Sequence, residues 1–333
     1  MAASPLRVAA GSVIRRHPNL HCPRFAVVVA VEADAHIPVL LHEVLEQLAI
    51  RPDGTYLDCT FGRGGHSQQI LARLGPAGRL FAIDRDVAAR GAAQALQSDP
   101  RFQFTQARFS MISPLLSQQG EVGGFDGILL DFGVSSPQLN IAERGFSFQA
   151  DGPLDMRMDQ TSGESVMQWL ARAEQHDIER CLREYGEERH ARRVAWRICN
   201  EREREPIQTT ARLAAVVASA VPRSGERIHP ATRSFQALRI LINDELGEIE
   251  RGLPQLKAAL APSGRLCAIA FHSLEDRIVK RYFRDSAREP EPPSTDPRRF
   301  RLVSRKPFYP AEAECDTNPR ARSARLRVLE RVA

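Results

Sequence analysis

With 333 residues, 43% of them hydrophobic and 26% charged, the chain has the composition of a globular protein able to bury a sizeable core. No apolar run approaches the roughly twenty residues needed to cross a bilayer, and the six cysteines lie far apart without a CxxC pair, which argues against a zinc site or a disulfide scaffold and for a reducing compartment. The net charge of +5 is a moderate basic excess that suits a nucleic-acid partner, and it is local: residues 298–333 carry ten Lys or Arg against four acids.

Residues 1–31 hold four arginines and no acid. That composition fits a disordered extension of a bacterial protein, which is the preferred reading and implies a cytoplasmic location, an upstream start codon, or a mitochondrial targeting peptide. Residues 1–35 are therefore expected to be a disordered extension. From His36 a helix is predicted, with Leu41, Val44, Leu45 and Leu48 at amphipathic spacing. Strands over 55–59, 79–84, 102–106 and 127–131 then alternate with helices that start near Ser67, Val87 and Met111, the signature of a doubly wound α/β sheet. From about 138 to 228 the patterns are helical: 165–173, 175–185, 187–202 and 210–220. A long helix over 232–260 follows, with Phe235, Leu238, Ile242, Leu246, Ile249 and Leu253 along one stripe. A buried strand over 265–271, a helix over 274–286, a proline-rich loop over 289–297 and two edge strands near 300–304 and 325–329 complete the chain. The expected organisation is a core of residues 36–137 and 232–333 with an all-helical substrate domain, 138–231, inserted into it.

The first strand ends at Asp58 and runs through Gly62-Arg63-Gly64-Gly65-His66-Ser67 into a helix. Glycines at such a turn admit positive φ and let a ligand approach main-chain N–H groups. The next strand ends at Asp84, placed to accept hydrogen bonds from ribose hydroxyls. Ser67 stands where a dinucleotide fingerprint wants its third glycine, which disfavours a dehydrogenase, and no P-loop is present. The order of acid, glycines and second acid resembles a class I S-adenosylmethionine methyltransferase. A tight turn without a ligand is the plainer alternative.

The fourth strand ends in Asp131, followed by Phe132-Gly133-Val134-Ser135-Ser136-Pro137-Gln138. Together with the His36-x-Pro-Val-Leu-Leu start and Ile83-Asp-Arg-Asp86, further motifs appear in order: Glu143-Arg-Gly-Phe-Ser-Phe148, Asp151-Gly-Pro-Leu-Asp-Met-Arg-Met158, His229-Pro-Ala-Thr-Arg233, Phe271-His-Ser-Leu-Glu-Asp-Arg277 and Asn318-Pro-Arg-Ala-Arg-Ser323. Over about residues 36–331 the chain resembles the ribosomal RNA small-subunit methyltransferase H family. That resemblance implies S-adenosyl-L-methionine as cofactor, methylation of N4 of a cytidine in 16S ribosomal RNA, and no metal. It implies as partner the small-subunit RNA or the ribosomal particle, with a homodimer as an option and no membrane. It carries the cofactor contacts onto Gly64, Gly65, His66, Asp84, Phe109, Asp131 and Gln138. Asp131 is also the candidate catalytic acceptor near N4, although a cofactor-contacting or helix-capping acid reads equally well there. Phe109 by itself would read as a core aromatic.

Within the insertion, Arg189, Arg193 and Arg197 form a row at helical spacing that faces either RNA phosphate or, paired with Glu187, Glu188 and Glu201, only solvent. Arg320, Arg322, Arg325 and Arg327 are the other basic candidates. The adjacent Phe271-His272-Ser273 and Asp276 do not make a Ser-His-Asp triad, which is assembled by geometry and not by adjacency; this turn is expected to shape the substrate side. The competing functions are a DNA amino-methyltransferase and a catalytically silent RNA-binding assembly factor.

Overall fold

The computed structural model describes residues 38–119, 124–222, 228–288 and 299–333. The expectations for residues 1–35, for His36 and Ile37, and for the 289–297 loop lie outside the described residues. After α1 (Leu41–Gln47) the chain alternates: β1 (Thr55–Asp58), α2 (Gly65–Leu71), β2 (Arg79–Asp84), α3 (Ala89–Gln94), β3 (Phe102–Gln106), a 3-10 turn Phe109–Met111 leading into α4 (Ile112–Gln119), and β4 (Phe125–Asp131). A run of helices follows: α5 (Ser136–Asn140), α6 (Val166–Arg172), α7 (Gln175–Gly186), α8 (Ala191–Arg204), α9 (Thr210–Ala220), α10 (Thr232–Asn243) and α11 (Glu245–Ala258). The chain closes with β5 (Leu260–Ala270), α12 (Ser273–Ser286), β6 (Phe300–Leu302), α13 (Glu312–Thr317) and β7 (Arg325–Arg331).

The seven strands form one sheet in the order β3-β2-β1-β4-β5-β7-β6. The first five pair in parallel, and β7 runs antiparallel between β5 and β6. This is the class I methyltransferase sheet. Its order reverses between β1 and β4, and in such sheets that switch point opens the ligand crevice at the carboxyl ends of the strands. Asp58, Asp84 and Asp131 close β1, β2 and β4 at that end.

The strands alternate because both faces are covered. Leu129, Cys267 and Ile269 join α1, α2 and α3 in one core through Val44, Leu48, Ile70 and Ala93. Their neighbours Ile128, Leu130, Leu266 and Ala268 join α4, α11 and α12 in the other, through Ile112, Leu253 and Phe283. A third core belongs to α6–α10, and α8 presents Ala191, Val194, Ala195 and Ile198 to it, as their spacing predicts. Gly127 in β4 shows how tight the sheet is. A Cβ there would lie 2.7 Å from Tyr56 Cδ1 and 2.9 Å from Leu48 Cδ2. Tyr56 is 1% exposed and its hydroxyl accepts the Arg51 N–H at 2.7 Å. Gly127→Ala is therefore expected to cost about 1–3 kcal/mol of stability. Thermal unfolding reads this, and an unchanged midpoint would mean that the Tyr56 ring can move aside.

Several boundaries differ from the periodicity. The single helix expected over 232–260 is broken at Asp244, which takes a left-handed conformation at φ 49°. Its apolar stripe divides accordingly, Phe235 and Leu238 packing in the helical core while Ile249 and Leu253 pack under the sheet. One continuous rod could not point one stripe into two cores. Likewise α8 begins at Ala191 instead of near 187, because Glu187 closes α7 in the left-handed region at φ 48°. The strand expected over 265–271 starts earlier, at Leu260.

Candidate active site

The loop after β1 is tied to all three strand tips. Gly62 N–H donates to Asp84 Oδ2 at 2.7 Å, and Asp86 N–H donates to Asp84 Oδ1 at 2.8 Å. Thr60 N–H donates to Asp58 Oδ1 at 3.1 Å, while Thr60 Oγ1 accepts the Asp131 N–H at 2.7 Å. Ser67 Oγ, from the start of α2, donates to Asp58 Oδ2 at 2.7 Å. The serine that breaks the dinucleotide fingerprint thus has its own task, holding α2 against β1 through a buried carboxyl.

Gly64 and Gly65 turn the chain into α2 for packing reasons visible in their neighbours. A Cβ at Gly64, where φ is +77°, would lie 2.6 Å from the Phe61 ring, and one at Gly65 would lie 2.5 Å from Pro38 Cγ. Gly62, at φ +54°, faces open space instead, with its nearest atom 3.9 Å from the built Cβ. His66 is buried, with Nε2 3.1 Å from the Val39 carbonyl. A carbonyl only accepts, so Nε2 carries the hydrogen and Nδ1 turns toward Asp131 Oδ2, 3.8 Å away.

Burial acts on the three acids that end β1, β2 and β4. It pushes Asp58 up to about 6 against the hydrogen bonds from Ser67 and Thr60. It pushes Asp84 up to about 6 against the N–H donors of Asp86 and Gly62. Asp84 keeps part of its surface at the solvent, but the loop and sheet atoms around it strip most of its hydration. Asp131 is raised well above the ordinary carboxylate range, first by burial, then by the charges of Asp58 and Glu275. Its Oδ1 is buried and has no hydrogen-bond partner among the described residues. Such an atom is costly unless something else supplies a donor.

Gln138 is 5% exposed and both ends of its amide are engaged: Oε1 accepts the Ser135 N–H at 2.9 Å and Nε2 donates to Asp86 Oδ2 at 2.7 Å. The same Asp86 oxygen pairs with Arg144 Nη1 at 2.9 Å, and Arg144 Nη2 donates to the carbonyls of Arg157 and Met158. Phe109 packs on Gly252 of α11 and lies 6.1 Å from the Phe132 ring, a smaller part of it remaining accessible.

Sequence reasoning missed Asp86, Arg144 and Thr60 as site-builders. The first two sat inside quoted motifs, but only the folded chain pairs them across 58 positions, and nothing local marks Thr60 as the partner of Asp131. The 271–276 turn makes no triad. His272 and Glu275 instead cap α12: Glu275 Oε2 accepts the Phe271 N–H at 2.8 Å, and His272 Nδ1 accepts the Glu275 N–H at 3.5 Å. Ser273 Oγ donates to Glu187 Oε2 at 3.3 Å, and Asp276 pairs with Arg325 and Arg327. Burial pushes Glu275 up, but His272, Arg239 and the Phe271 N–H outweigh it and hold the acid below its ordinary value. Glu245, His272 and Glu275 place ligand-type atoms within 4.8 Å of one another. Arg239 spans both Glu245 oxygens at 2.8 Å, so this group is a charge-paired network. Of the remaining basic candidates, Arg197 lies 3.6 Å from Glu201, and Arg320 donates to Ser136 Oγ and Asn140 Oδ1, beside the crevice loop.

A family model described as the MraW methylase family matches residues 33–332. The chain belongs to the MraW methylase family. Among relatives of this methylase, a protein of Thioalkalivibrio sulfidiphilus named ribosomal RNA small subunit methyltransferase H is 56% identical over 310 residues, covering 90% of this chain and 98% of its own length. Proteins of the same name from Nitrosococcus oceani and Methylococcus capsulatus are 53% and 52% identical, covering 90% and 88% of this chain and 98% and 100% of their own. The methylase fold, its switch-point crevice and the acids at its strand tips therefore belong to an enzyme that uses S-adenosylmethionine. No described helix of this methylase is long and apolar enough to cross a membrane.

Proposed function

We infer that this methylase transfers a methyl group from S-adenosylmethionine to N4 of a cytidine in small-subunit ribosomal RNA. The observation that carries this is the 52–56% identity, over nearly the whole chain, to relatives that bear that RNA in their name.

The residues suit the cofactor. Gly62 leaves a cradle at the end of β1, Asp84 stands at the tip of β2 and keeps part of its surface open, and Asp131 carries a buried oxygen without a donor at the tip of β4. When bound, S-adenosylmethionine supplies an activated methyl carbon on a sulfonium leaving group. In our reading the chain does the rest. Asp84 accepts the ribose hydroxyls. The accessible part of Phe109 flanks adenine. Gly64, Gly65 and His66 line the methionine end, and Gln138, fixed by Asp86, holds the 132–138 loop in place at the crevice.

Cytosine N4 is a poor nucleophile because its lone pair is delocalised into the ring. It must also shed one hydrogen as the new bond to carbon forms. Asp131 Oδ1 is our candidate acceptor for that hydrogen. Burial raises its pKa above the ordinary carboxylate range, which makes the ionised group a stronger acceptor. His66 Nδ1 faces the other oxygen of the same carboxyl and adds a second acceptor beside it.

The proposal extends to organisation. Residues 36–137 and 232–333 hold the cofactor, and residues 138–231 hold the RNA, presented as a small-subunit particle in a bacterial cytoplasm; assembly of the enzyme as a homodimer belongs to the same proposal. Mass mapping of small-subunit RNA with and without the protein tests the function. The expected result is one cytidine that gains a methyl group at N4. An unchanged set of cytidines would overturn the reading.

A further inference from the structure

We propose that Trp196 and the arginines around it form a stacking platform for an unpaired nucleotide of the RNA substrate. Trp196 lies on α8, on the side opposite the residues that fill the helical core, and is 52% exposed. A large aromatic ring left open on a charged helix needs a reason. It borders a groove of about 430 Å³ whose wall is basic: Arg189, Arg192 and Arg193 line it together with Trp196. Arg192 and Arg193 stand four and three positions before the ring, so they share its helix face. Among the described residues none of these three arginines is drawn into an ion pair, unlike Arg183 at the rim, which is held by Glu179, and Arg197, which turns to Glu201. No described ring or cation stacks on Trp196.

This combination of an accessible indole face and uncommitted guanidinium groups is the chemistry that binds single-stranded nucleic acid. A base stacks on the ring, whatever its identity, and the flanking phosphates meet the arginines. Position supports the assignment. The segment entering α8 touches the crevice side of the sheet, where Glu187 lies 3.3 Å from Ser273 Oγ and 3.6 Å from Arg277. Ser273 comes just after Phe271 and His272 at the end of β5, whose Ile269 is the register partner of Asp131. An RNA strand crossing the groove would therefore run toward the strand tips. The platform would hold a neighbour of the target cytidine, outside the crevice that receives the target itself. This inference rests on the RNA-methylating reading above.

The test uses the full chain with Trp169→Phe. Since the protein has two tryptophans, Trp196 is then its sole fluorophore of that kind. A short single-stranded oligoribonucleotide of mixed sequence is expected to quench its emission in a saturable way, while an abasic strand of the same length is expected to leave it unchanged. In the natural chain, Trp196→Ala is expected to weaken oligonucleotide binding roughly tenfold, and Trp196→Phe to restore most of it. Reversing Arg189 and Arg193 to glutamate is expected to flatten the dependence of log Kd on log salt concentration. Labelled-strand anisotropy is read in parallel. A strand that binds by anisotropy without changing Trp196 emission overturns the platform and leaves the methyl-transfer reading standing. A change of Trp196 emission with protein concentration alone, without RNA, assigns this face to a second copy of the chain and also overturns it. Mapping of methylated cytidines decides the function separately, so the two failures are distinguishable.

Discussion

Asp131→Asn is expected to slow single-turnover methyl transfer by about 10²–10⁴-fold, the range for removing a positioned acid or base, and to leave the protein folded. The substitution keeps the shape of the side chain and leaves the main-chain bond from Asp131 N–H to Thr60 intact. What it removes is an oxygen able to take a hydrogen from N4. The pH dependence has a definite sign. Transfer requires the ionised carboxyl, so the rate rises with pH through a value well above the ordinary carboxylate range, because burial and the charges of Asp58 and Glu275 oppose ionisation. In the asparagine variant this limb should vanish. An asparagine enzyme with the natural rate would make Asp131 a structural residue and leave the acceptor unassigned.

Asp84→Ala is expected to weaken cofactor binding by about 1.5–3 kcal/mol, or roughly 10- to 150-fold, the usual loss for a hydrogen bond to a charged group. Calorimetry measures it. In the natural protein the same carboxyl should make affinity depend on pH, being roughly tenfold weaker near pH 5 than near pH 8, since Asp84 titrates at about 6. Its effect on the free protein runs the other way. The folded value of about 6 stands above the ordinary value of 3.8, so the stability it contributes is complete below about 3.8 and is lost as pH rises through about 6. At neutral pH the unliganded enzyme therefore carries a strained carboxylate that ligand donors relieve, a common bargain at functional sites. Equal affinity in the alanine variant, or a flat pH profile in the natural protein, would remove Asp84 from the site.

Much of this arrangement is legible in the chain because it is local. A strand that ends in an acid, a glycine turn and a helix are consecutive, and their hydrophobic periods change where the backbone does. The seven-residue spacing between Asp131 and Gln138 could also be read. What could not be read is whatever depends on distant partners. Gln138 spends both ends of its amide on Ser135 and Asp86, a pairing across 52 positions with no periodic trace. The break at Asp244 leaves the apolar rhythm of 232–260 undisturbed, so the pattern shows one rod. The clue was Asn243-Asp244, a pair of residue types that favour turns and tolerate the left-handed region. Asn243 is 1% exposed and clasps the 156–158 loop, donating to the Met156 carbonyl at 2.7 Å and accepting the Met158 N–H at 2.8 Å. Nothing in the sequence singles out Trp196; only the packing shows that the core lies on the other side of α8.

The Asp86 knot bears on how this protein could have been assembled. Asp86 is 7% exposed; its Oδ2 pairs with Arg144 and accepts from Gln138, its Oδ1 accepts the Ala88 N–H at 2.9 Å, and the adjoining Arg85 reaches the Asn243 carbonyl at 2.8 Å. Excising residues 138–231 would remove both partners of Asp86 Oδ2, and losing the partner charge costs about 3–5 kcal/mol wherever the carboxylate stays buried. The helical block is thus no detachable accessory. A truncated enzyme, or an ancestor without that block, would need another residue at position 86.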